Sequence, residues 1–166
     1  FPEEAKFSDT EYAEKAYSLF TEDLKTGYTT RACIFGTLHK EASLILMEQL
    51  EKSGLKTMVG KVNMDRNCPD YLCESSAEKS IAETIAFIED SKNTKPIITP
   101  RFIPSCTDEL MYSLSELVKK YNLPIQSHLS ENPSEIEWVK ELCPFSTSYG
   151  NAYDRFGMLD NKTIMA

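Results

Sequence analysis

The chain has 166 residues, a length that suits one domain with its own hydrophobic core rather than two. Its formal net charge of -8 at pH 7 argues against a protein that binds nucleic-acid phosphates or an anionic membrane surface. No apolar run is long enough to cross a bilayer, and no basic start precedes an apolar segment, so we expect neither a membrane partner nor a nucleic-acid partner.

The cysteines are odd in number and lack the spacing of a zinc ribbon. Cys68 and Cys73 are too far apart in sequence for a CxxC knuckle. We therefore predict that all the cysteines are reduced thiols in a cytoplasmic protein. The cysteines are Cys33, Cys68, Cys73, Cys106 and Cys143.

The first predicted helix begins at Ser8-x-x-Glu11, which resembles a capping box, and runs toward Gly27, a typical C-terminal stop. Its predicted apolar face consists of Tyr12, Ala16, Leu19 and Phe20. After it, short apolar strands alternate with helices to the end of the chain. The predicted strands cover residues 29–35, 57–64, 96–102, 124–128 and 163–166. The further predicted helices cover residues 40–53, a segment that begins at Ser75-x-x-Glu78, and residues 107–121, 133–142 and 149–156.

This alternation indicates an α/β fold, with a parallel sheet and helices packed outside it. A doubly wound sheet and a (β/α)8 barrel both fit the order of elements. No glycine-rich phosphate loop follows a strand, which disfavours a nucleotide-binding sheet. Polar residues stand where strands end, at Asp65, Arg101 and His128, and in both folds that edge is where ligands bind.

Histidine is scarce, with only His39 and His128 in the chain. His128 ends an apolar strand in "QSHLSEN", and Glu131 follows three residues later. A hydrolytic metal site needs neutral nitrogen or carboxylate ligands, an open position for water and a nearby base. His128 and Glu131 could supply one ligand and the base, although a hydrogen-bonded structural histidine also fits. We predict that His39 is an exposed capping or loop residue.

Arg101 and Phe102 lie together at a strand end in "TPRF". A guanidinium fork and an aromatic ring form a suitable clamp for a flat polar heterocycle. The alternative is that Arg101 pairs with a loop carboxylate while Phe102 belongs to the core. Asp65 and Arg66 are further pocket candidates, but a loop in which they pair with each other explains them better.

Together these segments resemble the guanine deaminases of the amidohydrolase superfamily. The order and separation of "TPRF" and "SHLSEN" carry most of the resemblance, which extends over essentially the whole chain. The matching segments are "GKVNMDRN" (60–67), "ITPRF" (98–102), "IQSHLSEN" (125–132), "YGNAYDRFGML" (149–159) and "NKTIMA" (161–166).

The resemblance implies a TIM-type (β/α)8 barrel with one zinc ion at the C-terminal ends of its strands. By position, His128 matches the zinc-ligand histidine at the end of the fifth barrel strand, and Glu131 matches the glutamate that shuttles protons. Arg101 and Phe102 match the pair that holds the purine. The implied reaction is attack of a zinc-activated water on C2 of guanine, which yields xanthine and ammonia.

The family's other metal ligands have no counterpart in these residues. An HxH pair is expected before Phe1, the next ligand histidine just after Ala166, and an aspartate near the end of the barrel. We therefore expect residues 1–166 to form a single incomplete barrel domain, from about the second to the sixth strand. On its own the segment is expected to be inactive and, because its outer strands lack partners, to self-associate as a homo-oligomer.

Two alternatives remain open at this point. One keeps the superfamily but changes the substrate to another aminated heterocycle, such as a different purine, a pterin or a triazine. The other is a non-catalytic α/β module that binds a planar ligand or a protein partner.

Overall fold

A computed structural model describes all 166 residues of the chain. The helices are α1 (Pro2–Ala5), α2 (Thr10–Thr26), α3 (Lys40–Ser53), α4 (Ala77–Asp90), α5 (Asp108–Tyr121), α6 (Pro133–Leu142) and α7 (Tyr149–Arg155). The strands are β1 (Arg31–Phe35), β2 (Lys56–Gly60), β3 (Val62–Asn63), β4 (Lys95–Pro96), β5 (Thr99–Pro100), β6 (Ile125–Ser127) and β7 (Thr163–Met165). Every predicted strand and helix is present, and α1 is an additional short helix.

All strand pairs are parallel and follow the order of the chain. β2 and β3 are two halves of one interrupted strand, as are β4 and β5. An isolated bridge between Ile98, which lies between β4 and β5, and Ile125 joins this second interrupted strand to β6. A doubly wound sheet must reverse its strand order at a switch point. No reversal occurs here, so the sheet has the sequential order of a (β/α) barrel, with β1 and β7 as its two edges.

Two helices start one residue later than their sequence motifs suggested. The side chain of Asp9, not Ser8, accepts a hydrogen bond from the backbone N–H of Glu11 at 2.9 Å. Likewise Ser76, not Ser75, caps α4. In both cases the neighbouring residue also has a capping side chain, so the sequence pattern could not decide between the two.

The predicted apolar face of α2 is wrong by about one residue. Ala13 and Tyr17 are buried against α3, whereas Leu19 and Phe20 are 64% and 37% exposed. Successive helical residues point about 100° apart, so a shift of one position redirects the whole face. The larger core lies between the sheet and helices α4 to α7.

The prediction that all the cysteines are reduced is also wrong. Cys68 and Cys73 form a disulfide in the loop after β3, with their Cα atoms 5.5 Å apart. That separation lies in the usual range for a disulfide, because the loop turns back on itself between the two residues. Cys33, Cys106 and Cys143 are free thiols. None of the helices is both long and apolar enough to span a membrane.

Candidate functional site

A cleft of about 770 Å³ opens where β5 and β6 end and α6 begins. Of the residues that the sequence indicated, Arg101, Phe102, His128 and Glu131 line it, so these four face one opening at the C-terminal edge of the parallel sheet. The lining residues are Phe1, Arg101, Phe102, His128, Glu131, Asn132, Ser134, Glu135 and Trp138.

Arg101 follows β5, and its backbone N–H donates to the carbonyl of Asn63 at 3.1 Å. One guanidinium nitrogen, Nη1, donates to Oε2 of Glu4 at 2.7 Å, and the ring centroid of Phe1 lies 4.8 Å from the guanidinium carbon. Nε and Nη2 form no hydrogen bond within the chain. The arginine therefore forms an ion pair and still presents free donors to the cleft.

Phe102 is half-buried and forms part of the cleft wall rather than the core. Its ring meets that of Trp138 edge to face, with centroids 6.3 Å apart. Trp138 is the only tryptophan of the chain and projects from α6. The sequence did not indicate this position, because a single aromatic residue on a helix gives no signal of which cavity it lines.

The imidazole of His128 is fixed on two sides. Its Nδ1 lies 2.8 Å from the carbonyl oxygen of Arg101, and its ring packs on that of Phe35 with centroids 4.3 Å apart. A carbonyl oxygen only accepts hydrogen bonds, so Nδ1 carries the proton when the imidazole is neutral. In this tautomer Nε2 has a free lone pair, which a histidine needs in order to bind a metal ion.

Tyr153 of α7 holds the strand end that carries His128. Its hydroxyl donates to the carbonyl oxygen of His128 at 2.7 Å and lies 2.7 Å from Oγ of Ser127, which in turn donates to the carbonyl of Pro100 at 2.7 Å. Burial raises the pKa of Tyr153 above its usual value, so the hydroxyl remains a donor at neutral pH. This network connects the ends of β5 and β6.

Glu131 lies at the exposed rim of the cleft. Ser130 immediately before it has a positive φ of 59°, so the chain turns sharply between His128 and Glu131. Asn132 immediately after it caps α6, and its side chain accepts from the backbone N–H of Glu135 at 2.9 Å. A tight turn and a helix cap thus bracket the glutamate.

Glu135 is a buried carboxylate that sequence analysis also missed. It lines the cleft, is only 6% exposed, and its Oε1 has no hydrogen-bond partner within the chain. Its position three residues after the cap of α6 is a common place for a glutamate at a helix start, so its sequence context suggested only a structural role.

Asp65 and Arg66 lie outside the cleft and do not pair with each other. Asp65 accepts hydrogen bonds from the backbone N–H and the hydroxyl of Thr107, at 2.7 and 2.6 Å. Arg66 donates to the carbonyls of Ile103 and Pro104. Both residues therefore fasten the loop after β3 to the segment that leads into α5.

His39 is half-buried rather than exposed, and its side chain makes no capping hydrogen bond. Its Nε2 is buried without a hydrogen-bond partner, and burial lowers the pKa of the imidazole. The charged groups that act on it are those of Glu4, Lys61 and Glu83, which are distant in sequence, so its polar sequence neighbours do not indicate this environment.

The 166 residues contain no group of three or more histidine, cysteine, aspartate or glutamate side chains that could hold a metal ion. His128 has the donor chemistry and the free nitrogen of one zinc ligand. It therefore fits a zinc site as a single member of a ligand set.

The sequence profile of the amidohydrolase family matches residues 4–166. Guanine deaminase of Mus musculus is 46% identical over the whole chain, which corresponds to 38% of the mouse protein. The crystal structure of guanine deaminase from C. acetobutylicum with bound guanine in the active site superposes with a TM-score of 0.94 at 51% identity. That match covers 99% of this chain and 40% of the other. The chain thus spans about two fifths of the relatives it matches.

A more distant neighbour shares the fold alone. A mutant of atrazine chlorohydrolase from Arthrobacter aurescens, solved with zinc and atraton, superposes with a TM-score of 0.76 at 13% identity. The match covers 92% of this chain and 36% of that one.

Proposed function

This chain belongs to the amidohydrolase family, and we propose that it is part of a guanine deaminase, which hydrolyses guanine to xanthine and ammonia. The observation that carries the proposal is the convergence of Arg101, Phe102, His128 and Glu131 on one cleft. The guanine deaminases to which the chain is 46% and 51% identical support the same activity.

In this proposal Arg101 and Phe102 bind the purine. The free Nε and Nη2 of Arg101 donate to acceptor atoms on the edge of the base, with the fork geometry that suits planar acceptors. Phe102, supported edge to face by Trp138, packs against the base. A flat base with acceptor atoms along one edge, such as guanine, satisfies both sets of contacts.

We assign Nε2 of His128 as one ligand of a zinc ion, with the other ligands contributed by parts of the protein outside these residues. Zinc bound there would polarise a water molecule and make it a nucleophile at neutral pH. His128 holds its place because the Arg101 carbonyl fixes Nδ1–H and Phe35 limits rotation of the ring.

Glu131 is the proposed proton carrier. Glu131 lines the same cleft as Phe102, and in this proposal its carboxylate takes a proton from water and delivers it to a ring nitrogen of the base. The turn at Ser130 and the helix cap at Asn132 limit how far its backbone can move.

We further propose that residues 1–166 form one incomplete barrel domain that provides about the second to the sixth strands. The edge strands β1 and β7 each pair on one side only, so they are open to further strands of the same barrel or to a second copy. A cytoplasmic homo-oligomer, with no nucleic-acid or membrane partner, is the assembly we propose.

The test uses the complete protein that contains this segment. Purified with zinc, it should convert guanine to xanthine and ammonia, and it should do so better than it deaminates adenine, a pterin or a triazine. Preference for one of those heterocycles would assign the chain to a different activity within the family. Absence of turnover on all of them by the zinc-loaded protein would support a non-catalytic binding module.

A further inference from the structure

Glu4 is 97 residues away from Arg101 in sequence, and yet its Oε2 accepts a hydrogen bond from Nη1 of Arg101 at 2.7 Å. We propose that Glu4 is a positioning residue, which holds the guanidinium of Arg101 in the orientation that binds the substrate. The inference rests on the proposed function and adds to it a residue that does not itself touch the base.

The backbone that carries Glu4 is anchored. Ala5 packs against the small cluster of Leu38, Met64 and Leu72 beside the cleft. The ring of Phe7 packs at a tilt against the buried ring of Tyr17 in α2, with centroids 4.7 Å apart. Both anchors follow Glu4 within three residues, so they fix the backbone that carries its carboxylate and allow it to restrain the longer arginine side chain.

The contact leaves the arginine functional. Only Nη1 faces Glu4, so Nε and Nη2 keep their N–H groups for acceptor atoms in the cleft. The Arg101 and Glu4 side chains are 29% and 18% exposed, so solvent screens this pair less than a fully exposed one. Arginine loses much rotamer freedom when it is fixed, and the contact with Glu4 imposes that loss before the substrate arrives.

The test compares Glu4→Gln with Glu3→Gln in the complete enzyme. Glu3 is the preceding residue of the same short helix, and its 77% exposed side chain pairs with Lys6, which makes it a matched control. Glu4→Gln should raise KM for guanine about three- to tenfold relative to Glu3→Gln, the range expected when one long side chain must be ordered on binding. The change in kcat should be smaller than the change in KM.

A double-mutant cycle with Arg101→Ala separates positioning from a general structural effect. If Glu4 acts through Arg101, adding Glu4→Gln to Arg101→Ala should leave KM unchanged. The proposal would be overturned if Glu4→Gln had a KM equal to or lower than that of Glu3→Gln. It would also be overturned if the effects of Glu4→Gln and Arg101→Ala on KM were fully additive in the double mutant. If the wild-type enzyme is inactive on guanine, the proposed function itself fails; if it is active and only these comparisons fail, the role of Glu4 alone is wrong.

Discussion

The imidazole of His128 is held by the main chain of Arg101, with Nδ1 2.8 Å from the Arg101 carbonyl oxygen. One residue thus contributes to the cleft in two ways, because its side chain lines the cleft and its backbone carbonyl fixes the histidine. Because a substitution changes only the side chain, the two roles can be separated.

Arg101→Ala in the complete enzyme should therefore retain zinc while it weakens guanine binding. Loss of a hydrogen bond from a charged group is expected to cost about 1.5–3 kcal/mol, roughly ten- to a hundredfold in KM. Metal analysis and steady-state kinetics on the same preparation measure both effects. His128→Asn is the counterpart and should lose zinc. Zinc loss from Arg101→Ala would contradict the separation of roles.

Glu131→Gln should keep zinc but lose most turnover, because the amide has nearly the shape of the carboxylate and cannot accept the proton. A positioned proton-transfer group typically increases the reaction rate by about 10²–10⁴-fold. Xanthine formation by the zinc-loaded variant gives the measurement, and Glu137→Gln, an exposed position on α6, is the control. Near-normal turnover would remove Glu131 from the mechanism.

Tyr153→Phe should destabilise the protein by about 1–3 kcal/mol, because it removes the buried donor of the His128 carbonyl. Urea unfolding monitors the loss. Tyr112→Phe is the matched control, since that ring is 51% exposed and its hydroxyl makes no hydrogen bond within the chain. Equal stability of the two variants would show that the network around Ser127 contributes little.

His39 should make stability depend on pH, because burial lowers its pKa in the folded state below the ordinary 6.5. The unfolded chain then binds the proton first as the pH falls, so the stability contributed by neutral His39 is present above about pH 6.5 and is lost below it. When the pH falls from about 7.5 to about 5.5, the free energy of unfolding should decrease less for His39→Gln than for the wild type. Parallel losses would contradict this.

Produced alone, the 166-residue chain is expected neither to hold stoichiometric zinc nor to form xanthine. One imidazole cannot fix a tetrahedral site that keeps a position open for water. Metal content and xanthine formation, compared with those of the complete protein, give the test. Stoichiometric zinc together with clear turnover would mean that a second copy completes the site.

Much of the site could be predicted because its residues lie in short motifs at strand ends. "TPRF" and "SHLSEN" each follow an apolar run, and the ends of parallel strands share one edge of the sheet. The cleft confirms that Arg101, Phe102, His128 and Glu131 face one opening. Their roles remain predictions. Trp138 and Glu135 could not be found in this way, because they lie on α6 and the sequence does not show which side of that helix faces the cleft.

The sequence by itself determined the alternation of helices and strands and most of their bounds, because strand propensity, caps and glycine stops act over a few residues. Only the tertiary structure decided the sequential order of the sheet, the face that α2 buries, and the disulfide between Cys68 and Cys73. It alone also paired Glu4 with Arg101. Each of these depends on which distant segments pack together, and no local pattern of residues encodes that choice.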